Sequence, residues 1–225
     1  MSRFRLIILA MMLVLSGKNL RAGDTNTVLD GWFAAQTKVQ SWSADFIQTR
    51  SLKTLTQPLV ATGRVDFAMP GNFRWEIGRT ARTVAVGDGS VMFVIYPLLK
   101  RAEKYPLGAS APKQWRDMLS LLQVGFPHSR KEFDAQFAMR SLTEANGVWQ
   151  LSLAPQSDLA RQMMPELRLG LATNDFSLRS TEMIFVDGSR MRSDYTNAVL
   201  NQPLEPERFH WTPPADFKVT TPFNK

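Results

Sequence analysis

The chain has 225 residues, with 27 basic against 20 acidic side chains and no cysteine. Without thiols it can form no disulfide, thiolate metal site or cysteine nucleophile, and it has no cysteine to be acylated as in a lipoprotein. Residues 1–22 hold four of the basic side chains (Arg3, Arg5, Lys18, Arg21) and no acid; the remainder balances to +3 with no clustered basic stripe, so nucleic acid is not an expected partner.

The chain opens on a charged start, an unbroken apolar run over 6–15 and a polar stretch over 16–21 ending at Ala22. That is the three-part layout of a secretory signal peptide. The run is shorter than the roughly 20 apolar residues a membrane-spanning helix needs. Cleavage after Ala22 is expected, although Leu20 is an unfavourable residue three places before the cut; an uncleaved anchor is the alternative. The chain thus divides into a leader, 1–22, and a single domain, 23–225, with no internal repeat or Pro/Gly-rich linker and enough length for a sizeable core. No second long apolar run follows, so the exported mature protein is expected to be soluble, and it is read as a monomer.

The domain should begin with a short amphipathic helix. Asp24, Thr25, Asn26 and Thr27 supply capping residues, and Val28, Leu29, Trp32 and Phe33 follow at helical spacing. The period then becomes two. Trp42, Ala44 and Phe46 share one face against Ser41, Ser43 and Asp45; Ala61, Gly63, Val65, Phe67 and Met69 alternate with Thr62, Arg64, Asp66 and Ala68; Phe73, Trp75 and Ile77 alternate with Arg74 and Glu76. These are half-wet strands. Turns are marked by Pro70-Gly71-Asn72, Asp88-Gly89-Ser90, Asn146-Gly147 and Asp187-Gly188-Ser189. Residues 91–96 are apolar on both faces, which suits a strand covered twice. A second helix is expected over 112–124, with Trp115, Met118, Leu119 and Leu122 along one side. Strands resume near 137–142, 148–153, 167–171, 176–186 and 191–198, before a proline-bearing tail. The pattern predicts an α+β, mostly β fold: a curled antiparallel meander whose apolar concave face is covered by amphipathic helices.

Catalytic chemistry is hard to find. His128 and His210 lack partners at metal-ligand spacing. Gly108-Ala109-Ser110-Ala111-Pro112 lacks the second glycine of a nucleophile elbow. Asp88-Gly89 and Asp187-Gly188 read as hairpin turns rather than calcium loops. Asp45, Asp66 and Glu76 face Arg64 and Arg74 as cross-strand pairs on a wet surface. Neither an enzyme nor a cofactor is expected. The 14 Phe, 11 Met and 6 Trp fit either a bland core or a cavity for a flexible acyl chain, because thioethers adapt their shape.

Five stretches in one order carry a family resemblance. Ser43-Ala44-Asp45-Phe46-Ile47-Gln48 resembles the S-x-x-F-x-Q first strand of the LolA family. Gly63 with Met69-Pro70-Gly71-Asn72-Phe73-Arg74-Trp75-Glu76 resembles its G-x5-R-P-G-x-F-R-W-E hairpin. Val86-Gly87-Asp88-Gly89-Ser90 with Tyr96-Pro97 is similar to its V-S-D-G…Y-x-P element. Tyr195-Thr196-Asn197-Ala198-Val199-Leu200-Asn201 with Leu204 and Pro206 resembles F-x-N-V-x-x-N-x-x-L-x-P, and Phe209, Trp211, Thr212, Pro213 and Pro214 resemble the F-x-F-T-P-P close.

The resemblance implies an unclosed antiparallel β-barrel, or half-barrel, with amphipathic helices as a lid over an apolar cavity. It implies a carrier that takes acylated lipoproteins from an inner-membrane transporter, covers their acyl chains across the periplasm and delivers them to an outer-membrane acceptor. A carrier of another lipid or lipid-linked product, or a non-carrier accessory protein of the envelope, is the alternative. The candidate cavity residues are Phe46, Val65, Phe67, Met69, Phe73, Trp75, Phe93 and Phe185 from the strands, and Trp115, Met118, Leu119 and Leu122 from the lid. Two departures stand out. Met69 occupies the place of a family arginine that bonds to the lid, and the stretch 98–127 matches poorly.

Overall fold

The structure, a computed structural model, describes residues 18–19, 22–108, 111–112, 116, 124–127 and 129–222. The expected helix over 112–124 falls largely outside them, and so do its side chains Trp115, Met118, Leu119 and Leu122, as well as His128.

The alternating segments form one sheet built from two antiparallel runs. The first runs in chain order through β2 (Ser41–Ser51), β3 (Leu59–Ala68), β4 (Asn72–Ile77), β5 (Thr83–Asp88), β6 (Val91–Tyr96) and β7 (Arg101–Pro106). The second holds β8 (Phe137–Ala145), β9 (Val148–Pro155), β10 (Glu166–Ala172), β11 (Leu178–Ile184) and β12 (Arg190–Leu200). Antiparallel pairing of β12 with β2 joins the runs, from Arg190 opposite Ser51 to Leu200 opposite Trp42. β1 (Lys18–Asn19) adds to β8, and β13 (Lys218–Thr220) adds to β7 in parallel. The order β1-β8-β9-β10-β11-β12-β2-β3-β4-β5-β6-β7-β13 does not return to its start, so the half-barrel is unclosed.

Local chemistry sets the corners. Asn146 and Gly147 both take positive φ, 54° and 72°, which a two-residue hairpin needs to match the twist of its strands. The strand expected over 176–186 is shorter, Leu178–Ile184, because Phe176 adopts a φ of 57° and the chain turns there. The Asp88 carboxylate accepts from the backbone N–H of Ser90 and of Val91, each at 2.9 Å, and from the Ser90 hydroxyl at 2.7 Å. Burial opposes ionisation of Asp88, but these donors and the nearby His210 outweigh it and hold the carboxyl below its ordinary range.

Helix α1 spans Ala22–Gln36 and starts earlier than the capping residues suggest, so that Asp24 lies in its first turn, where a carboxylate suits the helix dipole. Two short helices are not marked by the hydrophobic period: α2 (Arg130–Gln136), whose N-cap Ser129 hydroxyl accepts from the Glu132 N–H at 3.2 Å, and α3 (Asp158–Met163). Among the described residues no helix is long and apolar enough to cross a membrane. β1 lies within the expected leader; processing after Ala22 would remove it and leave β8 as an edge.

The main core fills the concave side of β8–β10. Leu151, Leu153, Leu167, Leu169 and Leu171 are fully buried there with Leu29 and Trp32 of α1. Trp32 meets Phe133 of α2 edge to face, ring centroids 5.4 Å apart.

A second apolar layer lies on the other, convex face. Val84, Val86, Ile95 and Ala102 are buried beneath Trp211 and Phe217 of the tail. The tail is also pinned by polar contacts. Asp66, 1% exposed, accepts from Ser43 at 2.6 Å and pairs with Arg208 at 2.5 Å. Asn201 accepts from the Gln40 N–H at 2.7 Å and donates to the Lys38 carbonyl at 2.9 Å, tying the exit of α1 to the end of β12.

Candidate lipid-binding cavity

Where α1 and α2 do not fill the concave face, a cavity of about 540 Å³ remains. Its walls follow from alternation: on β3 and β4 the odd positions face inward, so Val65, Phe67, Phe73, Trp75 and Ile77 line it, while Arg64, Asp66, Arg74 and Glu76 take the convex face. Phe126, just beyond the expected lid segment, closes one side. It lies on Phe67 and tilts against Trp42, ring centroids 5.1 and 5.0 Å away.

The candidate residues do not all share one place. Val65, Phe67, Phe73 and Trp75 line the cavity. Phe46 is 1% exposed and packs beneath it, 4.8 Å from the Trp75 ring; it supports the floor instead of facing the space. Phe185 packs against the main core at the end of β11. Met69 sits beyond β3 in a separate recess of about 300 Å³ with Gln36, Val39, Gln40, Phe126 and Pro127. Phe93 is a correction: it lies on the convex face, 5.1 Å from the Trp211 ring. Register explains it, because Phe93 pairs with Val86, which faces the tail, whereas Met92 pairs with Gly87 and lines the cavity. The lid side chains Trp115, Met118, Leu119 and Leu122 lie outside the described residues.

The structure also brings in residues that alternation alone does not single out. Met183 and Met191 face the cavity from β11 and β12. Polar groups enter beside them. Tyr195 is buried among Trp42, Phe46 and Trp75 with its hydroxyl 3.1 Å from Thr181 Oγ1, and burial pushes its phenol up to about 12. Ser193, Gln48 and Arg50 continue this polar set along the β12–β2 ladder. The signal for Gln48 and Arg50 is their parity with Trp42 and Phe46 on β2, hidden by their polarity.

The arrangement suits binding. Among the described residues no cluster of His, Asp and Glu could hold a metal ion. Asp88 lies between Ser90 and His210, with His210 Nδ1 3.7 Å from Asp88 Oδ2. In a hydrolytic triad the imidazole stands between hydroxyl and carboxylate; here the carboxylate stands between hydroxyl and imidazole.

Likenesses to known proteins agree with this geometry. The outer-membrane lipoprotein carrier protein of Dechloromonas aromatica is 23% identical over 176 residues, covering 78% of this chain and 79% of that one. Its counterpart in Methylibium petroleiphilum is 22% identical over 219 residues, covering 97% and 98%. An uncharacterized conserved protein from Thermus thermophilus shares the fold, with a TM-score of 0.52 at 10% identity over 88% of this chain and 99% of that one. Residues 37–212 match the family described as outer membrane lipoprotein carrier protein LolA. The chain therefore belongs to the LolA family.

Proposed function

We propose that this LolA-family protein is a periplasmic carrier that shields the acyl chains of lipoproteins between the inner and outer membranes. The observation that carries the reading is the cavity of about 540 Å³, walled by Val65, Phe67, Phe73 and Trp75 on the concave face of an unclosed sheet. Each methylene moved from water into such a space contributes about 0.8 kcal/mol, so a partly covered acyl chain binds without polar contacts. Apolar contact is also non-directional, which lets one cavity accept chains of differing length and release them to another apolar surface. The role is binding, not catalysis. An inner-membrane transporter would load the carrier and an outer-membrane acceptor would unload it. Removal of residues 1–22 on export would give a mature chain that begins at Gly23.

The test is a mass spectrum of the material extracted from protein purified out of the periplasm. Acylated peptide is the expected result. Free lipid would redirect the reading to a lipid carrier, and an empty cavity together with no binding of acyl probes would overturn it.

A further inference from the structure

The described lining of the cavity contains two guanidinium groups, Arg50 and Arg116, and no carboxylate. On the convex face arginines are paired with acids: Arg64 with Asp45, Arg192 with Asp194 and Arg208 with Asp66. Arg116 donates to the Ala111 carbonyl at 2.9 Å. Arg50 has a different setting. Its Nε donates to Gln48 Oε1 at 2.8 Å, and it forms no ion pair among the described residues.

Gln48 is 4% exposed, and its amide oxygen is taken by Arg50. That contact leaves the Gln48 amide nitrogen as a donor on the cavity wall. The two residues stand on successive inward positions of β2, with Ser193 opposite Gln48 and Met191 opposite Arg50. The next inward rung back holds Phe46 opposite Tyr195. A line therefore runs from the aromatic floor, through amide and hydroxyl groups, to an exposed guanidinium at the end of the strand. Inward positions two residues apart are spaced by about 6.8 Å, so the line offers separate places for a chain and a head group.

Resting on the reading of the cavity as an acyl-chain site, we infer that Gln48 and Arg50 form a subsite that takes an anionic oxygen group, carboxylate or phosphate, of an acylated cargo whose chain lies in the cavity. The chemistry is complementary. The subsite presents donors and one uncompensated positive charge, and a planar guanidinium can give two parallel hydrogen bonds to a carboxylate or phosphate. Apolar walls beside it focus the field of that charge towards the cavity mouth. An uncharged head group would gain none of the charge contribution.

The experiment uses delipidated full-length mature protein and four single-chain probes: oleate, lysophosphatidic acid, oleyl alcohol and monoolein. Their affinities are read by displacement of an uncharged fluorescent apolar dye, for wild type, Arg50→Gln, Arg50→Lys and Gln48→Leu. The expected result is roughly tenfold tighter binding of the anionic probes than of the neutral ones by wild type, in line with a hydrogen bond to a charged group. Arg50→Gln removes that preference, Arg50→Lys keeps part of it, and added salt weakens it. A larger effect on oleate than on lysophosphatidic acid assigns the carboxylate; the reverse assigns the phosphate. Equal affinity for all four probes in wild type and Arg50→Gln overturns the subsite while leaving the carrier intact. Failure of wild type to bind any of the four overturns the carrier reading itself.

Discussion

Phe126 lies flat on Phe67, with ring centroids 5.1 Å apart and planes 14° from parallel. Phe67 belongs to the cavity wall on β3, whereas Phe126 belongs to the stretch 124–127 that precedes α2 in the chain, so the stack ties that stretch to the wall. Such a pair contributes about 0.5–1.5 kcal/mol beyond its buried area. Phe126→Ala should release a bound fluorescent acyl probe up to about tenfold faster, with the β-sheet circular dichroism preserved. Stopped-flow dissociation measures the rate, and an unchanged rate would remove Phe126 from any retaining role.

The tail is held by a buried carboxylate. Asp66 is 1% exposed and pairs with Arg208, whose side chain is 36% exposed, while Ser43 donates to it and Arg64 stands 3.5 Å away. Arg208→Ala should destabilise the protein by on the order of 2 kcal/mol, less than for a fully enclosed pair because the guanidinium is partly solvated. Hydrogen exchange over 206–220 should accelerate more than exchange in β8–β10. Denaturant unfolding together with exchange mass spectrometry checks both; uniform acceleration across the sheet would contradict a local staple.

Tyr195 supplies a pH signature. Its folded-state value, about 12, lies above the ordinary 10.0 because burial disfavours the phenolate. The folded protein thus keeps a proton that the unfolded chain gives up. The stability linked to Tyr195 is full below pH 10 and is lost as pH rises through 12. Tyr195→Phe should cost about 1 kcal/mol at neutral pH through the lost Thr181 hydrogen bond, yet show a shallower loss of stability above pH 10. Unfolding midpoints across the alkaline range decide it, and parallel pH curves for the two proteins would refute the assignment.

Met69 stands beside an unmet acceptor. Gln36 Oε1 is buried with no hydrogen-bond partner among the described residues, and both side chains line the same recess. An arginine at position 69 would bring donors to that oxygen. Met69→Arg should raise stability by about 1 kcal/mol and slow uptake of an acyl probe, because a charged hydrogen bond is directional where the thioether contact is not. A lowered melting temperature with faster uptake would show that Met69 is ordinary packing.

How much of this is legible in the sequence differs from strand to strand. Over 41–46, 61–67 and 72–77 apolar and polar residues alternate, so the sequence assigns both faces there and the cavity wall of Val65, Phe67, Phe73 and Trp75 can be named from it. Over Val91–Tyr96 every residue carries an apolar or aromatic side chain, and parity alone cannot choose a face. Pairing with β5 chooses it, sending Met92 inward and Phe93 under Trp211, a residue 118 positions later in the chain.

The hydrophobic period thus determined the β-rich class, the turns, the opening helix and the apolar concave face, because these depend on side chains a few residues apart. Tertiary structure decided what depends on distant partners. It let the tail cover the convex side of β5 and β6, and it made Asp66 a buried anchor instead of a surface charge. It also turned the polar residues Gln48 and Arg50 into part of a cavity wall. A polar side chain on an inward position looks like an exception until the opposite wall is present. The physical reason is that burial and pairing energies are set by the groups that meet in space, and a local pattern specifies a face without specifying what that face will meet.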